Sequence, residues 1–252
     1  LRVLLRVAYR GTRYRGFQYQ PDVPTVEGVL REALRDLGAE IVSYSSRTDA
    51  GAHARYQLVS VEGNPEVLRP APLNARLPED VRVVSRAITD LNPRRDVIRK
   101  EYRYFLGALE RPNVVSETAS LFEGEHDFSA FRREDGRDPV LEVEKCEVLS
   151  WGPFHVLRVV GRAFLWEMVR RMAGALLSVD RGYISTEDIE SMLEGMWEPS
   201  EKPPAAPAEG LVLWRIEVGD DDVQDRLDDV EAWFEDEEVL GSGGRLMTVS
   251  PP

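Results

Sequence analysis

Ile41-Val42-Ser43-Tyr44 is followed by Ser45-Ser46-Arg47-Thr48-Asp49-Ala50-Gly51-Ala52-His53-Ala54-Arg55, and then by Gln57-Leu58-Val59-Ser60-Val61. This reads as strand, polar turn, strand, with no helix between, which is the signature of antiparallel pairing rather than a parallel crossover. Working outward, Val3, Leu5, Val7 and Tyr9 alternate with Arg2, Leu4, Arg6 and Ala8, a strand with one face more buried. Thr25 is placed to cap a helix whose inward stripe is Val26, Val29, Leu30, Ala33, Leu34 and Leu37. Strand patterns recur at 81–88 and 101–107.

The second half repeats the mixture. Residues 140–149 and 154–160 flank Trp151-Gly152-Pro153 as a hairpin, and His126-Asp127 reads as a helix start capped by Asp127. A helix is expected over 164–179, with Leu165, Met168, Met172 and Leu176 inward, Arg170 beside the stripe and Arg171 solvated. Thr186 starts a shorter one with Ile189, Met192, Leu193 and Met196 inward. A proline-rich loop at 203–207 leads to a last strand at 211–218. Beyond it Val223, Leu227, Val230 and Phe234 suit an acidic amphipathic helix, and Gly241-Ser242-Gly243-Gly244 a flexible tail. The predicted class is α+β, two successive halves of about equal weight with largely antiparallel sheets and helices on one side. The expected division is 1–105, 106–218, and an acidic tail at 219–252.

The 252 residues carry 45 acidic and 32 basic side chains, net −13, which at face value disfavours a polyanionic partner. The average hides a gradient. Residues 1–105 hold 18 basic and 13 acidic residues, whereas residues 217–238 hold 12 acidic residues against Arg226 alone. A local basic cleft decides phosphate binding, and arginine, which outnumbers Lys100, Lys145 and Lys202, suits it by gripping phosphate bidentately. The single Cys146 excludes a disulfide framework and a cysteine-rich metal centre; His53, His126 and His155 lack ligand spacing, so no metal is expected. No apolar run approaches ~18 residues, so no spanning helix is expected. With a strand-like amino terminus, the expected home is a reducing cytoplasm.

Chemistry concentrates in the 45–55 turn. Asp49 is followed by small residues that let a bulky ligand approach the carboxylate, and Arg47 is placed to hold a phosphate. The plainer reading is a capped, solvated loop. Arg94, Arg95, Arg99, Lys100 and Arg103 adjoin Tyr102 and Tyr104, which suits phosphate contact with base stacking, or else leaves both tyrosines in the core.

Taken together, the motifs resemble the tRNA pseudouridine synthase A family over most of residues 3–218. Tyr9-Arg10-Gly11-Thr12-x-Tyr14-x-Gly16-Phe17-Gln18-x-Gln20, Thr25-Val26-Glu27, Arg47-Thr48-Asp49-Ala50-Gly51-Ala52-His53-Ala54 and Asn74-x-x-Leu77-Pro78-x-Asp80-Val81 occur in the family's order. So do Lys100-Glu101-Tyr102-Arg103-Tyr104, Gly124-Glu125-His126-Asp127-Phe128, Phe164-Leu165-x-x-Met168-Val169-Arg170-Arg171-x-x-Gly174 and Ala206-Pro207-x-x-Gly210-Leu211. Arg10, Phe17, Ala52, Arg162 and Glu167 depart from the family's usual residues.

The resemblance implies the pseudouridine synthase fold, two similar halves joined into one largely antiparallel sheet with a cleft between them, and isomerisation of uridine to pseudouridine in the anticodon stem-loop of tRNA, at positions 38 to 40, without cofactor. It assigns catalysis to Asp49, Tyr102 and Arg170: the carboxylate acts covalently or as a base, Tyr102 stacks on uracil, and Arg170 keeps Asp49 ionised. Arg47, Thr48 and Tyr102 are expected to hold substrate, and Arg13, Arg94, Arg95, Arg99 and Lys100 to contact RNA. A homodimer holding one tRNA across both subunits is expected. The rival reading is a non-catalytic RNA-binding module on the same scaffold.

Overall fold

A computed structural model describes residues 2–228. In chain order its elements are β1 Arg2–Tyr9, α1 Val26–Arg35, β2 Glu40–Tyr44, β3 His53–Glu62, α2 Pro70–Asn74, β4 Val81–Ile88 and β5 Val97–Gly107. There follow α3 Pro112–Ser120, β6 Gly124–Asp127, β7 Val140–Val143, β8 Lys145–Trp151, β9 Phe154–Gly161, α4 Met168–Asp180, α5 Thr186–Leu193, β10 Leu211–Val218 and α6 Asp221–Asp228. The mixed α+β build and the mostly antiparallel pairing agree with the reading above.

Two compact units emerge, and the boundary between them falls inside β5, after Arg99, and again after Leu211. In the first unit, β4, β1 and β3 pair antiparallel, with Leu5 opposite both Val59 and Arg86. β2 joins the far end of β3, while β10 runs parallel to its start, with Val212 opposite His53. That pairing is why residues 212–218 group with the first unit rather than with 106–218.

β1 is buried on both faces from Val3 to Tyr9, more than its alternation implied. The reason is α6, which packs on β4 and accepts from the buried Arg6 guanidinium through the Leu227 carbonyl, 3.0 Å away. Arg6 also stacks on Tyr56, whose hydroxyl donates to Asp228 at 2.7 Å; Arg215 and Gln224 complete the network. Val223 and Leu227 are buried as expected, whereas Val230, Phe234 and residues 241–244 lie outside the described residues. Thr25 caps α1 by accepting the Gly28 N–H at 3.2 Å.

In the second unit β5, β9 and β8 pair antiparallel, with Tyr102 opposite Val159. The hairpin turns at Gly152, whose φ of 56° suits glycine. Residues 140–149 are two strands instead of one, since 140–143 pair with β6 and 145–151 with β9. His126 therefore lies on a strand, and Asp127 caps a turn by accepting the Ser129 N–H, not an α-helix. α3, α4 and α5 pack together, and Met196 is exposed just past the end of α5 instead of facing inward.

Helix α4 begins at Met168, four residues later than expected. Glu167 stands before it with φ of 62°, and the Phe164 carbonyl is taken by Arg137 Nη1 at 3.1 Å. Both features break the helical register upstream. Arg171 is also not simply solvated: it forks onto Glu167 Oε2 at 3.1 and 2.8 Å and donates to the Pro203 carbonyl.

Candidate functional site

Three separated stretches of the first unit converge on the turn that carries Asp49. The Ala52 N–H returns to the Asp49 carbonyl at 3.1 Å, closing a four-residue turn with Gly51 at its third position and φ of 87°. A positive φ there is the mark of a type II turn and favours glycine. From the 9–17 stretch, Phe17 N–H donates to the Thr48 carbonyl at 3.1 Å, and the Tyr9 and Thr48 hydroxyls bond at 2.6 Å. Gly51 N–H reaches the Tyr14 carbonyl, and His53 Nδ1 accepts the Gly11 N–H at 3.1 Å, which makes that imidazole part of the framework.

Such close approach needs glycine. A Cβ on Gly11 would sit 1.8 Å from the Ala52 carbonyl oxygen, and one on Gly16 would sit 3.0 Å from that of Thr48. The third stretch supplies Asp80, which accepts from Tyr14 at 2.6 Å and pairs with Arg13 at 3.2 Å. Burial, with the bond to Asp80, pushes the Tyr14 phenol well above its ordinary range, so it stays a neutral donor. From behind, buried Gln57 grips Ser45 and both backbone groups of Ser46. Every side of the turn is thus anchored, yet Asp49 itself is only half-buried and Ala50 is exposed.

Arg47 is exposed beside this turn and bonds to Tyr44. Burial raises the Tyr44 phenol, with the Glu27 charge adding to it, while Arg47 and Arg94 oppose the rise, which places both arginines near the same ring. Asn92 organises the turn that presents Arg94 and Arg95, accepting from Arg94 N–H through Oδ1. Arg99 pairs with Glu217 at 3.1 Å. Arg47 and Arg94 thus both act on the Tyr44 ring, whereas Arg13 is engaged at Asp80.

In the second unit Tyr102 is buried on β5 and meets Phe164 edge-on, ring centroids 5.0 Å apart. Tyr104, on the same face, is core: its hydroxyl donates to the Pro207 carbonyl at 3.0 Å. The core reading thus holds for Tyr104. Lys100 shares that face and is half-buried; burial first, then the Arg137 charge, lower its ammonium to about 8.

Arg170 lies in the first turn of α4. Its Nε donates to the Ala206 carbonyl at 2.8 Å, and Ala206 N–H returns to the Arg170 carbonyl at 3.0 Å. The 203–210 strap touches α4 again at Gly174, where a Cβ would stand 1.9 Å from the Pro204 oxygen, and touches Tyr104 at Gly210. One strap therefore binds the helix that carries Arg170 to the strand that carries Tyr102. On the strap side these contacts are made by backbone atoms, mostly carbonyls, so the sequence shows the proline-rich loop and the glycines at 174 and 210 without showing what the strap holds. No motif marks Arg133, Arg137 or Trp166; the one signal is the three arginines within residues 132–137.

Chemically, the first unit presents a reachable carboxylate on a fixed turn, two residues after the exposed Arg47, and the second an aromatic ring and a guanidinium held at its Nε. Among the described residues no group of His, Cys, Asp and Glu is arranged to hold a metal.

A family profile described as tRNA pseudouridine synthase matches residues 118–217. Over its whole length the chain is 57% identical to tRNA pseudouridine synthase A of Methanopyrus kandleri, covering 98% of that protein. It is 43% identical to the tRNA pseudouridine synthase A of Pyrococcus abyssi, over 84% of this chain and 83% of that one. With that of Methanocella arvoryzae the identity is 37%, over 86% and 84%.

Proposed function

Since the chain belongs to the tRNA pseudouridine synthase A family, we propose that it isomerises uridine in the anticodon stem-loop of tRNA, at positions 38 to 40, with Asp49 as the carboxylate. The reaction breaks the bond from N1 of uracil to the ribose C1′ and forms one from C5 to C1′. The C5 proton is lost to solvent and N1 gains one, so atoms balance without a cofactor or metal. The observation that carries the assignment to Asp49 is the turn: anchored on every side, it leaves the carboxylate half-exposed among small residues. A merely capped loop has no need of such fixation.

Tyr102 stacks on the uracil and Arg170 keeps the carboxylate ionised in this reading, while Arg47 and Thr48 contact the nucleotide. Arg13, Arg94, Arg95, Arg99 and Lys100 contact RNA. The resemblance to the family supports these roles, as it supports a homodimer holding one tRNA across both subunits. A reducing cytoplasm suits the single, buried Cys146. Among the described residues no helix is long and apolar enough to cross a membrane.

The test is release of tritium from unmodified tRNA labelled at uracil C5. Wild-type protein releases it from anticodon-arm uridines and Asp49→Asn does not. Release confined to other positions overturns the target, and an active Asp49→Asn overturns the site. Tight tRNA binding without release by wild-type protein would favour the binding-module reading instead.

A further inference from the structure

On the second unit, Trp166 leaves 40% of its surface in water, and the Arg133 guanidinium lies 4.2 Å over its ring. This stack is built rather than incidental. Arg133 N–H donates to the Trp166 carbonyl at 2.8 Å, and Arg133 Nη1 stands 3.9 Å from Glu167. Two residues earlier in the same loop, Phe164 meets Tyr102. The guanidinium has the indole on one side, and with 58% of its side chain exposed it offers the other to solvent.

We propose that the Arg133–Trp166 stack is a nucleotide subsite: a base adjoining the target uridine continues the stack on the guanidinium, and Arg133 holds its phosphate. This rests on the reading that the second unit handles tRNA.

The charges around the stack fit an anion. Glu167 is already forked by Arg171, Glu134 accepts from Arg132, and Asp135 pairs with Arg137, so the nearby carboxylates are spoken for. Exposed Arg162 adds a further cation close along the chain. Lys202 is lowered by burial first, and next by the positive charges of Arg171 and Arg132, which outweigh Glu134 and Glu167. A stack fixed in the free protein also loses little freedom on binding. Base stacking on an aromatic or guanidinium plane tolerates any base, so the subsite adds affinity without reading sequence.

The experiment uses the full chain and an unmodified tRNA transcript. Trp166→Ala removes the ring that holds the guanidinium under the base and raises Kd and KM about 5- to 100-fold, the range that loss of one base stack produces, with the single-turnover tritium release at saturating tRNA kept within about twofold. Trp166→Phe restores most of the affinity. Arg133→Ala reduces the slope of log Kd against log salt by about one, as loss of one phosphate contact requires. Binding of tRNA quenches tryptophan emission in the wild type and less in Trp166→Phe. Unchanged Kd and KM in Trp166→Ala, a defect confined to the saturated rate, or an undiminished quench in Trp166→Phe would each overturn the subsite. Wild-type protein that neither binds tRNA nor releases tritium would instead overturn the function on which it rests.

Discussion

Replacing Gly174 by alanine sets two physical effects against each other. Gly174 is in the interior of α4, where alanine is intrinsically better by about 0.8–1.0 kcal/mol. Propensity alone therefore forecasts a more stable protein. The structure forecasts the reverse. A Cβ at 174 would stand 1.9 Å from the Pro204 carbonyl oxygen, so the strap must retreat by at least about 1.5 Å to reach ordinary contact. That retreat lengthens Ala206 N–H to Arg170 O, now 3.0 Å, and Arg170 Nε to Ala206 O, now 2.8 Å, beyond bonding range. Losing a neutral bond costs about 1 kcal/mol and a bond from a charged donor about 1.5–3 kcal/mol. After the propensity gain, the net destabilisation is about 1.5–3 kcal/mol. In a chain of this size it lowers Tm by about 2–4 °C per kcal/mol. Activity should fall further than stability implies, because Arg170 loses its anchor; kcat is expected to drop by roughly tenfold, equivalent to about 1.4 kcal/mol at the transition state. Thermal denaturation followed by circular dichroism, with tritium release under single-turnover conditions, reads both. An unchanged or higher Tm with wild-type kcat would refute the claim that the strap fixes Arg170.

Further outcomes follow from the same geometry. Gly11→Ala places a Cβ 1.8 Å from the Ala52 carbonyl oxygen and pushes the 9–17 stretch off the Asp49 turn, so tritium release falls at least about tenfold while circular dichroism stays near wild type. Lys100 titrates near 8, so tRNA affinity should weaken as pH rises from 7 to 9, and Lys100→Arg should flatten that profile; an unaltered profile would remove Lys100 from the RNA contacts. Asp228 is held below its ordinary value: burial opposes this, but the bonds from Tyr56 and Gln224 and the Arg215 charge outweigh it. A depressed carboxylate stabilises the fold above its unfolded pKa and loses that contribution as pH falls through the lower folded one. Asp228→Asn should therefore cost about 1–2 kcal/mol at pH 7 by urea denaturation, and the difference should vanish in strong acid.

The sequence made local features plain and tertiary ones obscure. The Thr25 cap and the α1 stripe are short-range physics: Val26, Leu30, Ala33 and Leu34 are buried where the spacing put them, while Val29 is half-buried and Leu37 falls past the helix end. The break at Glu144 is not local: the apolar pattern runs on, but the strand changes partner from β6 to β9. The start of α4 was read too early because Leu165 keeps helical spacing with Met168 and Met172, whereas a contact from Arg137 and the left-handed Glu167 decide the register. At the site, Gly11, Gly16 and Gly51 were legible as motif letters, and their reason became clear once the backbones they bring together were seen. The strap is legible as a proline-rich loop, but its hold on α4 and β5 is not, because carbonyls do most of its work.

The parallel pairing of β10 with β3 has a consequence for how the chain is made. His53 and Ala54, next to the Asp49 turn, wait for Val212 and Leu213, and all of residues 100–211 are synthesised in between. At about 5–20 residues per second, a ribosome leaves that edge unmated for on the order of ten seconds. During this interval the nascent first unit exposes an open strand edge beside an unfinished turn, while the strands of the second unit are still being made. The order of birth thus makes the Asp49 region among the last parts to be completed, and protects nothing against premature RNA contact except its own incompleteness.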